Sequence, residues 1–145
     1  MLQSVKRYKD RFYFVVNNSG KVVVTDTNLK LITEITGLNS PRYIDFYGNT
    51  GFVTDLKQNA IYVINLTNKQ IIGQIPTQGW TEHLLIYNHK LYVMDRGNYL
   101  TNNTSNYLYK IDPVSLHKED SIQVGINPNS MVMDKLNNLW VLTSG

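Results

Sequence analysis

Three short segments of this chain share one shape: GFVTD (51–55), LYVMD (91–95) and LWVLT (139–143). In each of them an aromatic residue is followed by valine, and a small polar residue stands at the end. The starts of the first two segments are 40 positions apart, and those of the last two are 48 apart. Spacing of this kind indicates repeated structural units.

The repeat extends well beyond these segments. A shift of 40 positions aligns residues 32–55 with residues 72–95, and the hydrophobic positions coincide throughout. Each repeat contains four runs of four to seven residues rich in Val, Ile, Tyr and Thr, separated by Asn, Gly, Asp and Lys. These runs are typical of strands and turns, and none has the 3.6-residue period of an amphipathic helix. Four-stranded units with a period near 40 predict the blades of a β-propeller.

The predicted fold class is all-β, a partial β-propeller of about three and a half four-stranded antiparallel blades with essentially no helix. We expect a single domain over residues 1–145, with blades at approximately 1–36, 41–76 and 82–124 and an incomplete blade at 129–145. One four-stranded sheet cannot cover its own two faces, so each blade must pack its apolar residues against the next. This packing explains why successive strands repeat nearly the same residues.

Three and a half blades form an open arc, whereas propellers close with four to eight. Apolar faces and strand edges should therefore be exposed at both ends of the arc. We expect the chain to be a fragment of a longer propeller; the alternative is an intact protein that closes by pairing two copies. The expected partners of the open ends are the remaining blades of a longer chain, or a second copy through self-association.

Composition excludes several classes of function. The 145 residues are 42% hydrophobic and 17% charged, with a net charge of +3 on scattered lysines, so no nucleic-acid partner is expected. The absence of cysteine excludes disulfides and thiolate metal sites. No apolar run has the length of a membrane span, so no transmembrane segment is predicted. The charged start lacks the apolar core of a signal peptide, so we expect none in this chain.

Several segments resemble a known family. NAIYVINLTNKQIIGQIP (59–76) followed by LYVMD is similar to the repeat of YVTN or surface-layer-type propellers. NSPRYI (39–44), GWTEHLLIY (79–87) and YLYKIDPVSLHKEDSIQVG (107–125) resemble more narrowly the uncharacterised secreted propeller lipoproteins of Bacteroidetes, some relatives of which capture cobalamin. One departure is GWTEH, which stands where the general repeat has G-x-x-P. The resemblance implies a non-catalytic binding propeller, exported to the periplasm or the outer-membrane surface in its full-length parent.

The candidate ligand site lies on loops that leave one face of the propeller. Trp80 occupies a polar loop, where an indole can stack on a sugar, a base, a corrin or a peptide; the alternative is that it caps a junction between blades. Arg42 with Tyr43 forms a cationic and aromatic pair suited to carboxylate or phosphate. The alternative for Arg42 is a salt bridge or a carbonyl contact inside the central channel. Arg96 and Tyr99 belong to the loop 96–106, which carries about eight additional residues.

Glu82 and His83 complete the predicted ligand-binding set. As neighbours on a strand they point to opposite faces and cannot jointly bind a metal without a bend. His83 lies at the start of an inner strand and can face the channel, and the alternative is an ordinary hydrogen-bonded histidine.

The acidic residues give no clear metal site. Asp45, Glu82 and Asp134 lie on inner strands but at unequal positions, so they need not converge. Asp55 and Asp95 recur at matched strand ends, where we expect each to accept hydrogen bonds from its own turn. We predict no catalytic residues, no metal and no cofactor.

The sequence thus favours a non-catalytic, exported binding or scaffold propeller that recognises an unknown small molecule, glycan or protein through loops on one face. Two alternatives remain open. One is a metal-dependent hydrolase or lyase with its metal on the propeller axis. The other is an accessory subunit of an outer-membrane uptake system, such as cobalamin capture.

Overall fold

The computed structural model describes residues 1–102 and 106–144. Residues 103–105 of the predicted loop 96–106, and residue 145 of the predicted last blade, lie outside the described residues. Strands make up most of the described chain. They are β1 (Leu2–Tyr8), β2 (Arg11–Val16), β3 (Lys21–Thr25), β4 (Leu31–Ile35), β5 (Pro41–Tyr47), β6 (Thr50–Asp55), β7 (Ala60–Asn65), β8 (Gln70–Pro76), β9 (Thr81–Tyr87), β10 (Lys90–Asp95), β11 (Tyr107–Ile111), β12 (Lys118–Gln123), β13 (Pro128–Met133) and β14 (Leu139–Thr143).

The strands form four antiparallel sheets in chain order. Strands β1 to β4, β5 to β8 and β9 to β12 each build a four-stranded sheet, and β13 with β14 builds a two-stranded one. The only helical segments of the described residues are two 3-10 turns at Asn17–Ser19 and Tyr99–Thr101. The prediction of a partial β-propeller with about three and a half blades and essentially no helix is confirmed.

The sheets are arranged around a common axis. The first strands of successive sheets are neighbours in space, with β1 beside β5, β5 beside β9, and β9 beside β13. Each sheet is a meander that runs outward from its first strand, so the hub of the arc consists of β1, β5, β9 and β13. We call the four sheets blades 1 to 4.

The hydrophobic core lies between blades, and the repeated aromatic residue of the second strand is part of each layer. Tyr13 packs against blade 2, Phe52 against blade 3 and Tyr92 against blade 4. Tyr13 and Phe52 are buried, whereas Trp140, at the same position of blade 4, is 62% exposed. The repetition in sequence therefore records one packing position used at each junction, and blade 4 has this position uncovered.

Apolar side chains are exposed on both end blades. On blade 4, Val132, Trp140 and Leu142 are each about three-fifths exposed. On blade 1, Val5 and Leu31 are 46% and 58% exposed. Both ends of the arc therefore present apolar surface of the type that the interior junctions bury.

Candidate functional site

The seven predicted ligand-binding residues all lie at one end of the blades. We define the upper face as the end at which the first strand of each blade begins, and there the connections 37–40, 56–59, 77–80, 96–102 and 124–127 emerge. The predicted residues belong to these connections or to the adjoining ends of β5 and β9. The antiparallel meander places them together, because first strands begin at the end where second strands finish.

A buried carboxylate lies at the centre of this face. Glu82 on β9 is 2% exposed, and it accepts hydrogen bonds from two arginines. Arg42 of β5 contributes Nε at 2.7 Å and Nη2 at 2.6 Å, both to Oε1. Arg96, directly after β10, contributes Nη1 at 3.1 Å to Oε2. A buried charge requires partners of this kind, because desolvation without them would be costly.

Two amides extend the array on either side. The Arg42 Nη1 group donates to Oε1 of Gln3 at the start of β1, and the Arg96 Nη2 group donates to Oδ1 of Asn127 at 2.7 Å. The five residues Gln3, Arg42, Glu82, Arg96 and Asn127 are called here the Glu82 cluster. It reaches across all four blades, so it joins their inner ends at the axis.

The strand register explains why Arg42 meets Glu82. Asp45 pairs with Phe52 on blade 2, and Leu85 pairs with Tyr92 at the equivalent position of blade 3. Three residues earlier on each first strand are Arg42 and Glu82, which are one repeat of 40 apart. Equivalent positions on neighbouring inner strands lie side by side around the axis, and here they carry opposite charges.

Trp80 is part of the support for the loop that carries Arg96. Its ring is 7% exposed, its backbone N–H donates to the Gly97 carbonyl at 3.0 Å, and its carbonyl accepts from the Arg96 N–H at 2.9 Å. The Tyr99 ring lies edge-on to the indole, with centroids 4.9 Å apart, and is itself 72% exposed. In this arrangement the aromatic surface open to solvent belongs to Tyr99, while Trp80 is buried beneath the segment 96–99.

Asp95 fixes the same loop from below. Its carboxylate is fully buried and accepts from the Gly79 N–H at 2.8 Å, the Gly97 N–H at 2.9 Å and the Tyr109 hydroxyl at 2.8 Å. A Cβ added at Gly79 would lie 2.5 Å from Oδ1 of Asp95 and from the Gly97 Cα, so the close approach requires glycine. Asp95 thus connects the segments before β9 and after β10, which is a wider role than the predicted turn.

Asp55 has the equivalent position on blade 2. Its Oδ1 accepts from the Lys57 N–H at 2.8 Å, which confirms the expected bond within its own turn. Its Oδ2 accepts from the Asn39 and Ser40 N–H groups at 3.0 and 2.8 Å, and these belong to the connection that leads into β5. The repeated aspartate therefore holds the connections that precede β5 and β9.

Tyr43 and His83 lie beside the Glu82 cluster at the next position along their strands. Their ring centroids are 4.5 Å apart, and Nδ1 of His83 accepts the Met131 N–H at 3.0 Å. Burial lowers the pKa of His83 below its ordinary value of 6.5, and the nearby Glu82 charge opposes this shift only in part. Accepting at Nδ1 requires the neutral ring, so the geometry and the pKa direction agree. Within the part of the chain that the structure describes, Glu82 and His83 share no hydrogen-bond partner.

The acidic residues considered for a metal have other partners. Asp45 forms a salt bridge with Lys6 at 3.3 Å and accepts from the Ile86 N–H at 2.8 Å. Asp134 accepts from Nε1 of Trp140 at 2.8 Å and from Asn138. Within residues 1–102 and 106–144, no group of three or more His, Asp or Glu side chains is placed to hold a metal ion.

The opposite end of the blades carries a repeated contact that sequence reasoning did not identify. Tyr8, Tyr47 and Tyr87 each end a first strand, and each hydroxyl reaches the first turn of the next blade. Their partners are the Gly48 carbonyl at 2.8 Å, Nδ1 of His89 at 3.2 Å and Oδ1 of Asn137. The recurrence of tyrosine at a spacing of 39 and 40 was the available signal. This lower end is thus joined by a repeated tyrosine contact, whereas the charged and aromatic groups of the upper face differ from blade to blade.

Comparison with known sequences does not assign the chain to a family, because no family model and no curated protein matches it. The helical segments of the described residues are the two short turns, and neither has the length or apolar character needed to cross a bilayer.

Solved structures provide several likenesses at low sequence identity. Kuenenia stuttgartiensis hydrazine synthase matches with a TM-score of 0.80 and 17% identity, over 92% of this chain and 39% of that one. The WD40 β-propeller domain of Doa1 matches with a TM-score of 0.74 and 10% identity, over 97% of this chain and 46% of that one. The computationally designed Ika4 protein matches with a TM-score of 0.75 and 10% identity, over 100% of this chain and 92% of that one. The chain therefore spans less than half the length of the two natural chains, and at these identities the likenesses show the β-propeller fold alone.

Proposed function

We propose that this chain forms part of a non-catalytic binding propeller whose upper face recognises a small molecule, glycan or protein. The observation that carries the proposal is the Glu82 cluster, in which one carboxylate that is 2% exposed holds two arginines from different segments at the axis. Long cationic side chains fixed by buried hydrogen bonds present their remaining donors in a preorganised geometry, which lowers the entropic cost of binding.

The contrast between the two ends of the blades supports the choice of face. The upper face combines the arginines with the exposed Tyr99 ring, on a loop held by Trp80 and Asp95. Binding residues concentrate on loops positioned by a rigid scaffold. An asymmetric set of charged and aromatic groups gives a ligand a unique orientation, which a uniform ring of tyrosine contacts does not.

Export and a role beside an outer-membrane transporter belong to the same proposal. Their support is the resemblance of residues 39–44, 79–87 and 107–125 to secreted propeller lipoproteins of Bacteroidetes. Cell fractionation of the native host, followed by immunoblotting for this polypeptide, tests this location. Detection only in the cytoplasmic fraction would contradict it.

The binding proposal is tested with a ligand panel and one variant on each face. Tyr99 is 72% exposed and Val114, in the lower connection between β11 and β12, is 75% exposed, so Tyr99→Ala and Val114→Ala should both fold normally. The panel contains neutral sugars, sugar acids, aromatic acids and peptides, and binding is measured by isothermal titration calorimetry. We expect Tyr99→Ala to weaken any ligand found and Val114→Ala to have no effect. The reverse pattern would reject the upper face.

A further inference from the structure

The charges of the Glu82 cluster do not balance. Arg42 and Arg96 bring two positive charges, and Glu82 supplies one negative charge. Among the described residues, Glu82 is the only carboxylate that forms a salt bridge with either arginine. A structural ion pair would need one arginine, so the second leaves one uncompensated positive charge at the axis.

The two guanidinium groups retain unused donors. Each arginine has five N–H groups. The hydrogen bonds to Glu82 and Gln3 use two of those on Arg42, and its Nη2 forms an ion pair with Glu82. The hydrogen bonds to Glu82 and Asn127 use two of those on Arg96. The arginine side chains are 19% and 25% exposed, whereas that of Glu82 is 2% exposed. The protein's own carboxylate thus approaches from the buried side, and the open side faces solvent.

We propose that this open side binds a carboxylate group of the ligand, an inference that rests on the upper face being the binding face. The guanidinium group is planar and complements a carboxylate through parallel N–H bonds. A single carboxylate neutralises the one excess charge. Glu82 acts as a positioning residue, because it fixes both guanidinium groups before the ligand arrives.

The neighbourhood also indicates what the carboxylate is attached to. Tyr99 follows Arg96 by three residues, and its exposed ring stands edge-on against the buried Trp80. An exposed aromatic ring on a supported loop offers a flat apolar surface on the same segment as Arg96. The ligand class is therefore a carboxylate joined to a planar or apolar ring.

Three probes with one ring and different head groups test the inference: benzoate, benzamide and phenyl phosphate. Each is titrated into the full chain by calorimetry at constant ionic strength. We expect saturable binding of benzoate and at least about tenfold weaker binding of neutral benzamide, since a charge-assisted bond is lost. Tighter binding of phenyl phosphate than of benzoate would assign the site to phosphate and overturn the inference.

Arg96→Gln is the informative variant, because Glu82 keeps both bonds from Arg42 and the cluster remains paired. It should weaken benzoate by about 10- to 100-fold and leave benzamide unchanged. Arg42→Gln provides a second variant with the same expectation, and circular dichroism checks the fold of both. The inference would also be overturned if benzoate showed no binding at concentrations up to about 10 mM.

The outcomes separate this inference from the proposed function. Benzoate and benzamide could bind with equal affinity, unchanged by Arg96→Gln but abolished by Tyr99→Ala. In that case the upper face binds ligands, but not through a carboxylate. If neither Arg96→Gln nor Tyr99→Ala changes the affinity for any ligand, the proposed binding face itself is wrong.

Discussion

Replacing Glu82 by glutamine should destabilise the protein more than removing either of its arginine partners. The substitution keeps the size of the side chain but leaves Arg42 and Arg96 facing each other without a counter-charge. Breaking a buried ion pair costs about 3–5 kcal/mol. Because the two arginines are 19% and 25% exposed, water recovers part of this loss, and we expect about 3 kcal/mol for Glu82→Gln.

Arg96→Gln should cost about 1 kcal/mol, since it removes one of the two hydrogen bonds that Glu82 accepts and leaves the hydrogen bond and ion pair with Arg42 in place. Glu34→Gln is a matched control on the surface. Glu34 pairs with Lys21 at 2.7 Å, but its side chain is 38% exposed, so the same chemical change should cost under about 1 kcal/mol.

Urea unfolding followed by tryptophan fluorescence measures these differences. Of the two tryptophans, Trp80 is 7% exposed and borders the Glu82 cluster, whereas Trp140 is 62% exposed and reports little burial. The free energy of unfolding is obtained at one low protein concentration, so that association does not vary between variants. A Glu82→Gln loss equal to that of Glu34→Gln, or smaller than that of Arg96→Gln, would refute the view that Glu82 holds both arginines.

The packing and the buried polar groups lead to four further predictions. Asp95→Ala removes the acceptor of three buried donors and should lower the free energy of unfolding by about 3 kcal/mol or more. Tyr109→Phe removes one of those bonds and should lower it by about 1 kcal/mol in the same urea assay. Equal losses would contradict the role of Asp95 as the shared acceptor. Phe52→Ala should cost about 3–5 kcal/mol because its ring is fully buried, while Trp140→Ala at the same repeat position should cost under about 1 kcal/mol and reduce self-association. We expect the unmodified chain to self-associate through its open blade faces in size-exclusion chromatography, and a monomer peak unaffected by concentration or by Trp140→Ala would count against that. Finally, burial lowers the pKa of His83, so as the pH falls the histidine of the unfolded chain is protonated before that of the folded chain. The free energy of unfolding should therefore be independent of His83 well above pH 6.5 and should fall as the pH drops through 6.5, until the folded histidine is also protonated. A His83→Gln variant with the same pH dependence between about 7.5 and 5 would exclude this residue as the cause.

The fold was accessible from the sequence because its physical cause is periodic. Each junction packs the same aromatic position, so the sequence repeats it and the period of the repeat identifies the four-stranded blades. The pairing of Arg42 with Glu82 was accessible in principle by the same reasoning. The shift of 40 aligns them, and opposite charges at one repeat position of adjacent inner strands predict a contact around the axis.

The environment of Trp80 could not be predicted in this way. It depends on the path of residues 96–102, which the other blades do not share, and on the carboxylate of Asp95 binding two loop amides. Loop geometry of this kind arises from specific hydrogen bonds and not from a repeated pattern. The contact of Arg96 with the Asn127 amide, which lies in the connection before β13, could not be predicted for the same reason.

The most direct test of the Glu82 cluster is the exchange of arginine Nε–H protons, observed by nitrogen-15 NMR. The chain has only four arginines, so the signals can be assigned by substitution. Arg42 donates its Nε–H to Glu82 at 2.7 Å, and this proton should exchange with water much more slowly than that of Arg7. Glu82→Gln should abolish this protection. Exchange of the Arg42 proton at the rate of Arg7 in the unmodified protein would contradict it.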